Sequence, residues 1–187
     1  MTQALFLDRD GVVIENQPNY VRCLEEVLFI PEALEALNKL SRSPVKIFFV
    51  TNQSAVGRGI ITLQTALEIH DHVLQVIQAA GGRVDDTFLC PHSPQDACSC
   101  RKPGPGLFMQ AAERYNLDLG NSICIGDAIS DLQAAENAGV GMRILVRTGR
   151  GEDQLKIAVA ANLAPFLVFN SLADAIAHFP PNFTTIL

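Results

Sequence analysis

Residues 4–11, Ala4-Leu5-Phe6-Leu7-Asp8-Arg9-Asp10-Gly11, set four apolar side chains directly against two carboxylates, an arginine and a glycine. An apolar run this short and unbroken reads as a strand buried on both faces, the kind that parallel sheets use. The polar residues behind it then stand at the strand's carboxyl end, where open α/β sheets place their ligands. Outward from this stretch the same punctuation recurs. Strand candidates lie at 4–7, 46–50, 87–89, 122–125, 143–146 and 167–169, and helix candidates between them at 32–40, 63–80, 106–115, 131–138 and 172–178. Pro31 stands where the first helix should begin, and Gly81-Gly82 and Gly139 follow the ends of two others. Strand–helix alternation predicts a three-layer, Rossmann-like α/β fold, a parallel sheet with helices on both faces.

The chain has no internal repeat and no linker long enough to divide it, so one domain over residues 1–187 is expected. About 40 residues separate Asp10 from Thr51 and about 50 separate Thr51 from Lys102. Once the core helices and third strand are placed, neither interval holds a large cap domain. Hydrophobic residues at 48% against charged residues at 18% indicate a compact soluble protein rather than a disordered one. No apolar run approaches the roughly 18–20 residues that cross a bilayer. The amino terminus lacks the basic region of a signal peptide, so the cytoplasm is the expected location, with no membrane partner. A net charge of -6 disfavours a nucleic-acid partner. The expected partner is a small phosphorylated substrate, and the expected state a monomer.

The polar residues collect where a site should be. Asp8 and Asp10 follow the first strand, Thr51-Asn52-Gln53-Ser54 the second, and Gly126-Asp127 the fourth, with Asp131 four residues on. Two neighbouring carboxylates repel and need a cation or a shared proton. Asp127 adds a hard oxygen ligand from another strand end, which suits Mg²⁺. Thr51 offers a hydroxyl and Lys102, just before the helix that Pro105 opens, a compact positive charge: donors for a phosphate. Asp131 also fits the first turn of its helix, where the dipole favours negative charge. Taken singly, each piece is common in ordinary turns; together and in order they point to phosphoryl transfer. Which of Asp8 and Asp10 would attack phosphorus stays open on chemistry alone.

These segments, Asp8-Arg9-Asp10-Gly11-Val12, Val50-Thr51-Asn52-Gln53, Cys100-Arg101-Lys102-Pro103 and Gly126-Asp127-Ala128-Ile129-Ser130-Asp131, resemble the four signatures of the haloacid dehalogenase superfamily of phosphatases. Arg58-Gly59 and Val146-Arg147-Thr148-Gly149 further resemble its sugar-bisphosphate and histidinol phosphatase group, and the likeness covers about residues 4–151. It implies Asp8 as nucleophile, Asp10 as general acid and base, and Mg²⁺ held by Asp8, the Asp10 carbonyl and Asp127. Thr51 and Lys102 would steady the transferred phosphoryl group, and Asn52, Gln53, Ser54 and Arg101 would bind the rest of the substrate. The implied reaction removes the 7-phosphate of D-glycero-D-manno-heptose 1,7-bisphosphate. Histidinol phosphate is the alternative, with a polynucleotide 3′-phosphate or a silent scaffold further off. Residues 14–20 differ from the Asp-His-Gly-Tyr stretch of many heptose enzymes and border the substrate.

Five cysteines, an odd number, argue against a disulfide framework, and three of them fall between positions 90 and 100. Cys90, His92, Cys98 and Cys100 make a Cys₃His set, a common tetrahedral zinc shell, though their one-residue gaps are tighter than the usual spacing. Buried or redox-active thiols would also account for them. The same family carries a zinc loop of this form, and the resemblance implies a structural Zn²⁺. Cys124 reads as a core residue. His70, His72 and His178 read as structural or solvated, and the tail beyond about residue 152 as one more strand and helix without chemistry.

Overall fold

The computed structural model describes residues 2–160, 163 and 165–178. Six strands, β1 (Ala4–Leu7), β2 (Lys46–Asn52), β3 (Asp86–Cys90), β4 (Ile123–Gly126), β5 (Met142–Val146) and β6 (Leu167–Phe169), form one sheet in the order β3-β2-β1-β4-β5-β6. All its pairings are parallel. The helices are α1 (Pro31–Lys39), α2 (Ser54–Gly57), α3 (Leu63–Ala79), α4 (Gly106–Tyr115), α5 (Ile129–Ala138), α6 (Gly151–Ala160) and α7 (Leu172–His178). The fold is therefore a three-layer, Rossmann-like α/β fold. No helix among the described residues is long and apolar enough to cross a membrane.

Strand periodicity sorts the core into two layers. Leu5, Leu7, Ile47, Phe49, Ile123, Ile125, Ile144 and Val146 pack on one face with apolar residues of α1, α3 and α7. On the other face, Ala4, Phe6, Phe48, Val50, Phe88 and Cys124 meet Leu107, Phe108 and Ala111 of α4 and Ala134 and Ala135 of α5. Phe6 lies 4.9 Å from Phe108 and 5.7 Å from Phe48, ring centre to ring centre. Because both faces of β1 are covered, its apolar run is continuous rather than alternating. The first polar residue after it must emerge at the strand end, and that residue is Asp8.

Several boundaries differ from those read in the sequence. Thr51 and Asn52 belong to β2, paired with Leu89 and Cys90, so polar residues continue the ladder beyond its apolar part. α5 begins at Ile129 because Asp131 caps its first turn, its Oδ2 accepting the N–H of Ala128 at 3.0 Å. The helices α2 and α6 are additions to the sequence reading. Among the described residues, the strands in the intervals from Asp10 to Thr51 and from Thr51 to Lys102 are β2 and β3 of the one sheet, with no second sheet.

His70 lies buried on α3, its Nε2 2.8 Å from Thr87 Oγ1 and its ring edge-on to Phe49. Burial lowers its pKa to about 4, helped by the positive charge of Arg9 and opposed by Asp71 and Asp10. A base whose folded pKa is depressed contributes stability that is complete above about 6.5 and is lost as pH falls toward 4. His70→Gln should flatten this acid limb, removing about 2 kcal/mol of the stability lost between pH 6.5 and 5. Urea unfolding of both proteins at the two pH values checks it, and equal losses would exclude His70 as the source.

Candidate active site

The site forms where β1, β2 and β4 end side by side. The backbone N–H of Asp8 donates to Ile125 O at 3.0 Å, so the β1–β4 ladder reaches the carboxylate itself. The chain then turns sharply, Gly11 N–H donating to Ile14 O at 2.7 Å, with Gly11 at φ +87°. A side chain at Gly11 would also strike Asp127, since an added Cβ would lie 2.1 Å from its Oδ2. Glycine is required here both for its conformation and for its lack of bulk.

Asp8 is buried, and its Oδ1 accepts the Arg9 N–H at 2.8 Å and faces Lys102 Nζ at 3.2 Å. Burial pushes its carboxyl up to about 6, opposed by Lys102 and aided by Asp131 and Asp10. Asp10 is partly open to the cavity and differently held. Arg9 grips both of its oxygens, Nε to Oδ2 and Nη2 to Oδ1, each at 3.1 Å. Gln53 Nε2 also donates to Oδ2 at 2.8 Å while reaching Thr51 Oγ1 at 3.0 Å. The two carboxylates thus share a turn but live in different surroundings, one buried beside an ammonium and one oriented by a guanidinium and an amide.

Lys102 is buried with its ammonium against Asp131 Oδ1 at 2.6 Å, Val50 O at 2.7 Å and Asp8. Burial alone would lower its pKa, but Asp131 and Asp8 together raise it, so the ammonium stays charged. The Asn52 side chain fixes the Lys102 backbone in both directions, donating to its carbonyl and accepting its N–H, each at 3.1 Å. Asn52, Gln53, Ser54 and Arg101 all line the cavity above Asp8, joined by Asn16, Gln17, Tyr20, Ser130 and Arg150.

Asp127 is completely buried at the end of β4. Burial raises its pKa, against hydrogen bonds from Arg150. The Arg150 backbone N–H reaches Asp127 Oδ2 at 2.9 Å, and Thr148 Oγ1 ties this loop to Gly11 O at 2.6 Å. Ligand oxygens of Asp8, Asp127 and Asp131 lie within 4.8 Å of one another. All three also have protein partners, Asp131 with Lys102 and the first turn of α5, Asp8 with Lys102, and Asp127 with Arg150. One or two carboxylates with room for water and phosphate oxygens is the donor set of Mg²⁺, and these residues fit it.

Cys90, His92, Cys98 and Cys100 converge at the end of β3. Their sulfurs are 3.3–3.7 Å apart, and His92 Nδ1 lies 3.3 Å from Cys100 Sγ and 3.5 Å from Cys90 Sγ. Ligands about 2.3 Å (sulfur) and 2.0–2.1 Å (nitrogen) from a tetrahedral zinc ion stand roughly 3.5–3.8 Å from each other. The thiols are not joined as disulfides. Arg101 Nη1 donates to His92 O at 3.2 Å, so this loop positions a cavity residue.

Every residue singled out around Asp8 lies in one place. Two participants were not anticipated, Arg9 and Arg150. Arg9 sits between the two aspartates, and Arg150 directly follows Thr148-Gly149; adjacency to those segments was the available signal.

A family model described as HAD-hydrolase-like matches residues 99–175. D-glycero-beta-D-manno-heptose-1,7-bisphosphate 7-phosphatase of Bordetella bronchiseptica is 40% identical over 151 residues, covering 81% of this chain and 84% of that protein. The enzyme of the same name from Pseudomonas putida is 37% identical over 174 residues, 93% of this chain and 97% of that one. The crystal structure of the D,D-heptose 1,7-bisphosphate phosphatase from B. bronchiseptica, complexed with magnesium and phosphate, is similar with a TM-score of 0.87. It is 36% identical, over 95% of this chain and 97% of the other.

Asp127 depends on the absence of a side chain at Gly149, where φ is +60° and an added Cβ would lie 2.4 Å from both Asp127 Oδ2 and Gly11 Cα. Gly149→Ala should cost about 1–3 kcal/mol from backbone strain alone and displace Asp127. Thermal melts with and without Mg²⁺ check this: the metal-induced rise in Tm should disappear in the variant. An unchanged rise would show that Asp127 has kept its place.

Proposed function

The chain belongs to the HAD-like hydrolase family, and from that membership we propose how its residues remove a phosphate. It is a Mg²⁺-dependent phosphomonoesterase that removes the 7-phosphate of D-glycero-D-manno-heptose 1,7-bisphosphate. The observation that carries the reading is the unequal pair at the end of β1: Asp8 against Lys102, and Asp10 aimed by Arg9 and Gln53. Asp8 attacks phosphorus and becomes an aspartyl phosphate as the bond to the sugar oxygen breaks. Asp10, entering as the carboxylic acid, gives its proton to the departing alkoxide. The carboxylate left on Asp10 then takes a proton from water, whose oxygen attacks the same phosphorus and releases inorganic phosphate and free Asp8.

Thr51 and Lys102 face the transferred group, Lys102 supplying a fixed charge where negative charge gathers. Asp8, the Asp10 carbonyl and Asp127 would hold Mg²⁺, which when bound offsets the charge of the phosphate oxygens as the nucleophile approaches. Cys90, His92, Cys98 and Cys100 would hold Zn²⁺ with four protein ligands, which is the shell of a structural ion. Bound there, it would fix the loop that delivers Arg101 and Lys102. Burial pushes the Cys90 thiol up to about 12, so a bound cation is what would make it a thiolate. We take the protein to be a single domain that acts as a monomer in the cytoplasm. Its partner is a small sugar phosphate rather than a nucleic acid or a membrane.

Phosphate release by the zinc-loaded protein with Mg²⁺ tests the reaction. The substrates are both anomers of heptose 1,7-bisphosphate, histidinol phosphate and a 3′-phosphorylated oligonucleotide. The bisphosphate should be the preferred substrate, and Asp8→Asn should lower turnover at least 10³-fold, a loss of about 4 kcal/mol in transition-state stabilisation. Turnover of histidinol phosphate alone would keep the mechanism and reject the sugar. For the second metal, Cys98→Ala should lose zinc and melt at lower temperature. A variant that still carries about one zinc per chain by elemental analysis would reject the ligand set.

A further inference from the structure

The segment after β1 brings an aromatic side chain into the cavity from a strained position in the backbone. Gln17-Pro18-Asn19-Tyr20 is a tight turn, closed by the Tyr20 N–H donating to Gln17 O at 3.1 Å, with Pro18 where its fixed φ suits the bend. Tyr20 itself has φ +64°, in the left-handed region that favours glycine or asparagine. Among the described residues, the other non-glycine residues with positive φ are Ala97, which ends a turn in the cysteine–histidine loop, and Asn116, which ends α4. Tyr20 lines the cavity over Asp8 and those two do not. The next residue, Val21, is buried in the core and anchors the chain on that side.

Apart from Tyr20 and Val21, every side chain lining this cavity is charged or carries an amide or hydroxyl. Val21 is only 5% exposed, which leaves the Tyr20 ring as the apolar surface that a ligand can reach. Beside it, the side chains of Asn16 and Gln17 and the Tyr20 hydroxyl have no hydrogen-bond partner among the described residues. None of the three bonds to Asp8 or Asp127, so their arrangement does not depend on whether a metal is bound there. Gln17 and Tyr20 also line a second groove, together with Arg22, Glu25 and Glu26, so the turn divides the two spaces. In that groove Arg22 is paired with Glu26 at 2.6 Å and Glu25 adds a further negative charge, an unfavourable place for a phosphate ester.

We propose that Tyr20 is a specificity-determining residue whose ring receives the C–H face of the departing sugar, while Asn16 and Gln17 bond to its hydroxyls. The assignment rests on the phosphatase reading above and narrows its substrate class to compact phosphorylated polyols. A polyol presents C–H groups between hydroxyls, so it is matched by an apolar ring set beside amides that both donate and accept. The left-handed backbone at Tyr20 costs stability and sets the ring over the cavity, as strain retained at a binding site does. The acidic groove beyond the turn keeps the phosphorylated substrate on the Asp8 side of the ring.

Tyr20→Asn removes the ring but keeps a residue that accepts positive φ, so the turn is preserved. With Mg²⁺ present, its kcat/KM for heptose 1,7-bisphosphate should fall roughly 10-fold, mainly through KM. Calorimetry in the Asp8→Asn background separates sugar from phosphate. There the added Tyr20→Asn change should weaken the bisphosphate roughly 10-fold and inorganic phosphate by less than about 2-fold. Tyr20→Phe, which keeps the ring, should retain most of the affinity for the bisphosphate. A Phe variant as weak as the Asn variant would overturn the role given to the ring. Equal weakening of the bisphosphate and inorganic phosphate would show that the turn only shapes the phosphate site, and unchanged affinity for the bisphosphate would put the sugar elsewhere. Either result overturns the assignment and leaves the phosphatase reading standing. A wild-type protein that releases no phosphate from the bisphosphate overturns both together.

Discussion

The buried ammonium of Lys102 is the contact on which the rest of the site depends. Taking an ammonium out of water costs several kcal/mol unless its charge and hydrogen bonds are matched. Here Asp131, Asp8 and the Val50 carbonyl surround it. Each partner comes from a different element: Asp8 from the end of β1, Val50 from β2 and Asp131 from α5. One side chain therefore fixes the relative heights of two strands and a helix. Removing it would leave two buried carboxylates facing each other, and breaking such a pair costs about 3–5 kcal/mol. The need to keep Lys102 in this position explains why Asn52 grips its backbone on both sides. It also gives the cysteine–histidine loop, which ends two residues earlier at Cys100, a mechanical purpose.

The two metal-binding sets are separated by chemistry as well as by place. One set offers carboxylate oxygens, hard donors that suit Mg²⁺. The other offers three sulfurs and an imidazole, which favour zinc. Neither set holds its counterpart's preferred ligand, so donor type would direct each ion to its own site. The link between them is the short path Cys100-Arg101-Lys102. An ion bound by the cysteine–histidine set would thus affect catalysis without approaching the substrate.

Much of this was legible in the sequence because the constraints are local. The apolar run at 4–7 could be read as a doubly covered strand, and the residues after it as a site, without knowing what covered the strand. The elements that escaped lacked such a signal. A single helical turn, α2, is too short to show a period. In α6, Ile157 and Val159 are 52% and 70% exposed, so its apolar residues do not mark a buried face. Within the site, the carboxylates and Lys102 stood out by their order along the chain. Arg9 and Arg150 did not, because their roles are defined by pairing with Asp10 and Asp127, and spacing does not reveal pairing. Asp131 fitted the first turn of its helix in the sequence, and the structure shows one of its oxygens capping that turn and the other serving Lys102.

Charge explains why a protein with a net charge of -6 can attract a phosphate ester at this point. With all four carboxylates ionised, Asp8, Asp10, Asp127 and Asp131 around the cavity are balanced by Arg9, Arg101, Lys102 and Arg150, leaving no net charge among these eight groups. A divalent cation would turn that balance into two positive charges, and a phosphate dianion would then find a favourable field. Metal and substrate should therefore bind with mutual support, each neutralising what the other leaves exposed. The elevated pKa of Asp8 belongs to the same balance. Burial and neighbouring carboxylates push the Asp8 carboxyl up to about 6, and a cation placed beside it would favour its charged form. The surroundings that make Asp8 costly to ionise by itself would thus couple its activation, in the role proposed for it, to the arrival of the metal.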